Sequence, residues 1–147
     1  VGENARIIMN TELLKFKDKP FIYGGYSLEQ GGFDCVGFMY AFYKDLGIEL
    51  PNTFKGITLD NYSQFYLENK DTDETLKEYL NTVGIEVNPT QILKGDLIAV
   101  KHISKNYPLF PAIYGGNKLA ISSFIGYKVK VFSLTNTYEV VVARRVI

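Results

Sequence analysis

The spacing of hydrophobic positions changes once along this chain. Before about residue 94 apolar residues recur at helical intervals, and after it they alternate. Ile7, Ile8, Leu13, Leu14 and Phe16 predict a helix over 4–17 that stops before Pro20. Cys35, Phe38, Met39, Phe42 and Leu46 fall three or four residues apart and predict a second helix, with Asp34 as N-cap and Gly47 as stop. A short helix is expected over about 60–67, and another opens at Thr72. That last helix has Asp73 and Glu74 in its first turn, Leu76, Tyr79, Leu80 and Val83 on its apolar face, and Gly84 at its end. Between the first two helices, the two Gly pairs in PFIYGGYSLEQGGFD read as chain reversals.

Beyond Lys94-Gly95 the alternation predicts strands over 96–103, 109–114, 119–124, 128–134 and 139–147. Gly115-Gly116-Asn117 and Thr135-Asn136-Thr137 mark turns between them. Helices first and strands afterwards imply an α+β fold, with the N-terminal helices packed on an antiparallel sheet of about five strands. No repeat, low-complexity tract or linker divides the chain, so residues 1–147 read as one domain.

Composition narrows the function classes. A chain of 147 residues that is 46% apolar suits one domain with a substantial core. Its 16 basic and 16 acidic residues cancel, and no basic stripe offers a nucleic-acid footprint. No apolar run approaches the roughly 18 residues of a membrane span, so no membrane partner is expected. The N-terminus has no signal-peptide core, and the chain starts Val-Gly, as after removal of a leader or tag. One cysteine forms no internal disulfide, and one cysteine with one histidine makes no zinc site, so neither metal nor cofactor is expected.

That cysteine is the candidate for chemistry. In the first turn of a helix, Cys35 would feel the positive end of the helix dipole and its unpaired N–H groups, which favour thiolate and could stabilise an oxyanion. Periodicity alone equally makes Cys35 the first position of the buried stripe Cys35, Phe38/Met39, Phe42. Tyr62, Phe65 and Tyr66, at helical spacing, read as core or partner contacts.

The succession PFIYGG, GGFDCVGFMYAFYKDLGIELP, LKGDLIAV and FPAIYGGNKLAISS resembles the NlpC family of papain-like cell-wall peptidases over about residues 20–123. In that family the order is P-Y-x-W-G-G, F-D-C-S-G-F leading into a helix ending G-x-x-L-P, G-D-L, H-V-G-I-Y-x-G and I-H-A. The FDC-to-LP block is the specific part. The resemblance implies a papain-like fold and hydrolysis of amide bonds in peptidoglycan stem peptides, with Cys35 as nucleophile. Val36 after the cysteine, and residues 52–94 as an insert, are similar to the branch found in phage tails and gene-transfer particles. That implies a virion tail or bacterial envelope setting, with stem peptide or another peptide as ligand and phage tail proteins as partners.

Carried over position by position, the family base falls on Phe110 and the orienting residue on Ser122, while the Tyr of P-Y is Phe21. Tyr23 and Phe110 fall on the substrate side of the cleft. Phe accepts no proton, so the resemblance implies impaired or lost hydrolysis. The alternative is an active endopeptidase in which His102 reaches across from the neighbouring strand as a displaced base. Strand register decides between them, because a slip of one residue turns a side chain to the other face.

Overall fold

The computed structural model describes residues 13–68 and 72–147. Most of the helix expected over 4–17 lies outside the described residues; residues 13–16 are helical. Phe16 packs edge-on against Phe33 and Phe38, at centroid distances of 5.3 and 5.7 Å.

A short hairpin, β1 (Tyr26–Ser27) and β2 (Gly32–Phe33), leads into the central helix α1 (Cys35–Asp45). Gly47 takes φ 84°, a left-handed conformation that most L residues resist, and the amides of Gly47 and Ile48 close on the carbonyls of Lys44 and Tyr43. The region read as an insert contains the ribbon β3 (Thr53–Phe54) and β4 (Ile57–Thr58), then α2 (Tyr62–Glu68) and α3 (Asp73–Leu80).

The sheet has six antiparallel strands in the order β5-β10-β6-β7-β8-β9. Five of them match the alternating segments: β6 (Leu97–His102), β7 (Phe110–Gly116), β8 (Leu119–Ser123), β9 (Val129–Ser133) and β10 (Tyr138–Arg145). The sixth, β5 (Ile85–Glu86), is two residues long, too short to leave an alternating pattern, and pairs with the end of β10.

Alternation sorts the sheet into two faces. Leu97, Ala99, Ile113, Ile121 and Val129 join Phe38, Met39, Phe42 and Tyr43 of α1 in the main core. Ile98, Val100, Ala112, Ala120 and Ala143 point the other way, against Phe110, Phe132, Tyr138 and Val140. Burying each ring of α1 contributes roughly 2–3 kcal/mol, so the helix side anchors the fold.

Candidate active site

The seat of Cys35 is built by backbone contact. A Cβ on Gly37 would stand 1.7 Å from the Gly25 carbonyl oxygen, so only glycine lets the first turn of α1 lie against the glycine loop. The Asp34 carboxylate joins loop, helix and insert. It accepts from the Gly37 amide at 2.7 Å, from the Gly24 amide at 2.8 Å and from the Tyr62 hydroxyl at 2.7 Å. Cys35 is therefore held as the first residue of α1, as its sequence position predicts.

The electrostatics differ from the expectation of a favoured thiolate. Burial, and next the negative charge of Asp34, push the half-buried Cys35 thiol up to about 12; the amides of Val36 and Cys35 pull the other way and lose. At that value about one thiol in 10⁵ is ionised at pH 7. Burial also raises the Asp34 carboxyl, despite the hydrogen bonds from Tyr62, Gly37 and Gly24. The hydroxyls of Tyr62 and Tyr66 are raised by burial, with Asp34 and Cys35 adding to the effect. These two tyrosines, four residues apart on α2, stand near enough to the cysteine to feel its charge. Their spacing was visible in the sequence, but not the direction in which they point.

On the helix side of the sheet, the strand ends nearest α1 carry Lys101, Leu109, Pro111 and Ser123, since Ala99 pairs with Pro111 and Val129 with Ser123. The Ser123 hydroxyl donates to the Phe33 carbonyl at 2.6 Å and ties β8 to the chain just before Cys35. Asp73 of α3 accepts from the Leu109 amide at 2.9 Å and from Lys101 at 2.8 Å. Burial works to raise this carboxyl, but the hydrogen bonds from Lys101 and Leu109 and the nearby lysine charges outweigh it and hold it low. None of these contacts has a motif in the sequence.

The residues expected to partner Cys35 lie on the far face. Phe110 pairs with Val100 and His102 with Tyr138. The Phe110 ring packs with Phe124, Phe132 and Tyr138 at 5.7–6.0 Å. The His102 ring lies 5.5 Å from Tyr107 and 5.3 Å from Tyr138, and its Nδ1 accepts from the Ser104 and Lys105 amides at 3.2 and 3.1 Å. His102 thus closes the turn after β6. Ser122 pairs with Lys130, and its buried hydroxyl donates to the Pro111 carbonyl at 2.8 Å. The structure does not bring Cys35, His102, Phe110 and Ser122 together. Tyr23 is exposed and packs edge-on to Phe21 at 5.0 Å, beside the Gly24 amide that holds Asp34.

Comparison with known proteins follows this geometry. The NlpC/P60 family model matches residues 18–145. No protein of curated function matches the chain. Among solved structures, an NlpC/P60 family protein from Bacillus cereus is 26% identical over 99% of this chain with a TM-score of 0.63, and the chain spans 40% of that protein's length. The NlpC/p60 domain of the peptidoglycan hydrolase SagA is 20% identical, with 95% of this chain and 97% of that one covered and a TM-score of 0.62. RipD from Mycobacterium tuberculosis, described as a non-catalytic NlpC/p60 domain protein adapted to peptidoglycan binding, is 21% identical, with 97% of both chains covered and a TM-score of 0.58.

Proposed function

This chain belongs to the NlpC/P60 family, and we propose that it is a member that holds peptidoglycan stem peptide beside Cys35, at the start of α1, without cleaving it. The observation that carries this reading is the separation of thiol and imidazole. Cys35 opens α1 on one face of the sheet, and His102, the single histidine of the chain, sits on the other.

Amide hydrolysis by a thiol needs a base to take the thiol proton and return it to the leaving amine. Leu109 and Pro111, on the helix side of β7, cannot do so, and Lys101 is paired to Asp73. Loss of general base catalysis costs about 10²–10⁴ in rate, and the raised thiol adds to that deficit. Binding needs less: the amides at the start of α1 and the hydroxyl of Tyr66 suit peptide carbonyls and carboxylates. RipD supplies the precedent of a non-catalytic relative. Val36 and the insert at 52–94 support placing the domain in a phage tail or cell envelope as part of the same reading.

The test pairs calorimetric titration of a disaccharide-tetrapeptide with mass spectrometry of the mixture. Binding without product, unchanged in Cys35→Ser, is the expected result. Product that disappears in Cys35→Ala would establish an active peptidase and return His102 to consideration as displaced base. Absence of binding would remove the stem-peptide reading.

A further inference from the structure

β9 is the outermost strand on one side of the sheet, and only part of its outer edge is paired. The Phe124 amide donates to the Lys128 carbonyl and the Leu134 amide to the Lys118 carbonyl, so even-numbered residues of β9 turn their backbone inward to β8 and odd-numbered ones turn outward. Val129, the first outward residue, has partners within the chain. Its amide donates to the Lys19 carbonyl at 2.8 Å, its carbonyl accepts from the Asp18 amide at 3.2 Å, and Pro20 bridges antiparallel to Lys128. Residues 18–20 thus lie along the edge as a short outer strand. Asp18, at φ 64°, is where the chain joins this edge from the helical residues 13–16, so the covered row stops at Val129. The outward amides and carbonyls of Val131 and Ser133 continue the row with no backbone partner among the described residues, and Val131 is 52% exposed. Charge around this edge has one sign. Residues 97–138 contain five lysines and no acidic residue. Lys128 is paired to Asp18 at 2.9 Å. Lys130 has no carboxylate partner among the described residues; its Nζ lies 4.7 Å from the Phe124 ring centroid and 5.0 Å from that of Tyr127.

We propose that the Val131–Ser133 edge of β9 accepts an extended acidic segment of a partner protein as a further strand, with an apolar side chain beside Val131 and a carboxylate facing Lys130. Outward N–H and C=O groups at strand spacing are matched by another backbone in strand conformation, and residues 18–20 show that match on the covered half of the same edge. Charge complementarity selects the partner. A second copy would lay one stretch 128–134, with two lysines and no acid, beside another, whereas an acidic strand pairs its carboxylates with Lys130. Residues opposite one another share a face, so the side chain beside Val131 lies on the helix side, and its neighbours meet Lys130 and Phe132 on the far side. Ser123, which ties the sheet to the chain before Cys35, pairs with Val129 at the covered end. The proposal is therefore independent of stem-peptide binding at Cys35.

The test records ¹H–¹⁵N spectra of the whole chain during titration with acetyl-Thr-Val-Glu-Val-Glu-Val-Thr-amide. Two controls are the same peptide with Lys in place of each Glu, and the Glu peptide N-methylated at its valines. The Glu peptide should shift the amides of Val131 and Ser133, slow their hydrogen exchange, and bind roughly tenfold tighter than either control. Val131→Pro removes an outward amide at an edge position, where proline is tolerated, and should abolish binding. Lys130→Glu should reverse the preference toward the Lys peptide, and retained spectral dispersion shows that each variant folds. The proposal is overturned by the absence of shifts at Val131 and Ser133, by equal binding of the Glu peptide and either control, or by a preference that Lys130→Glu leaves unchanged. Protection of the same amides that grows with protein concentration, in the absence of peptide, would overturn it in favour of self-pairing. Muropeptide failure at Cys35 and Gly37 with the Glu preference intact counts against the stem-peptide reading alone.

Discussion

The two faces of the β6–β7–β8 region are made from alternate residues of the same strands, and they carry different chemistry. The helix side has the nucleophile position, Cys35, together with Lys101, Leu109, Pro111 and Ser123, each already engaged or unable to take a proton. The far side has the imidazole of His102, within a cluster of Tyr107, Phe110, Phe132 and Tyr138. One residue of register separates the two sets. The surroundings of a thiol at a helix start are thus set by what alternation delivers to its side of the sheet.

The largest expected contrast between the faces is in stability. Phe38→Ala, fully buried on the helix side, should cost about 3–5 kcal/mol in urea denaturation, whereas Phe110→Ala, half-buried on the far side, should cost about 1–2 kcal/mol. Equal losses would break the comparison. Asp34→Asn comes next: it removes the charge that caps α1 and receives Tyr62, at about 1–2 kcal/mol. It should also lower the thiol toward its ordinary range, read from the alkylation rate, because Asp34 is the main charge opposing ionisation.

A smaller effect belongs to Asp73, whose folded carboxyl lies below its ordinary 3.8. The folded state then binds fewer protons than the unfolded state, so this anchor between the insert and Leu109 is complete above about pH 4 and fades as pH falls through the lower folded value. The stability difference between the wild type and Asp73→Asn should accordingly shrink from pH 5 to pH 2. Smallest of all is His102→Ala, expected to change stability by less than about 1 kcal/mol and to leave Cys35 reactivity untouched.

Much of this was legible in the sequence. Asp34, through its carboxylate, and Gly47, through its left-handed backbone, bracket α1 as predicted, and the five longer strands start and stop close to the alternating segments. The family follows from the FDC block and its neighbours. Register was not legible. The loop between β6 and β7 has no short turn signature, and Leu109, Phe110 and Pro111 are all apolar, so pattern alone could not say which of them faces α1. The structure sets Phe110 opposite Val100, whereas His102 pairs with Tyr138 on the other side of β6. The raised thiol was not legible for a related reason. A helix start is a local feature, whereas its neighbours Tyr62 and Tyr66 come from a helix about 30 residues away in sequence.

The separation of thiol and base is tested most directly by the pH dependence of Cys35 alkylation with iodoacetamide, in the wild type and in His102→Ala. With the thiol pushed up to about 12, the rate should climb about tenfold per pH unit from 7 to 10 without a plateau, and identically in both proteins. A plateau below the ordinary thiol value of about 8.5, shifted by removing His102, would mean a thiolate–imidazolium pair and would contradict the account.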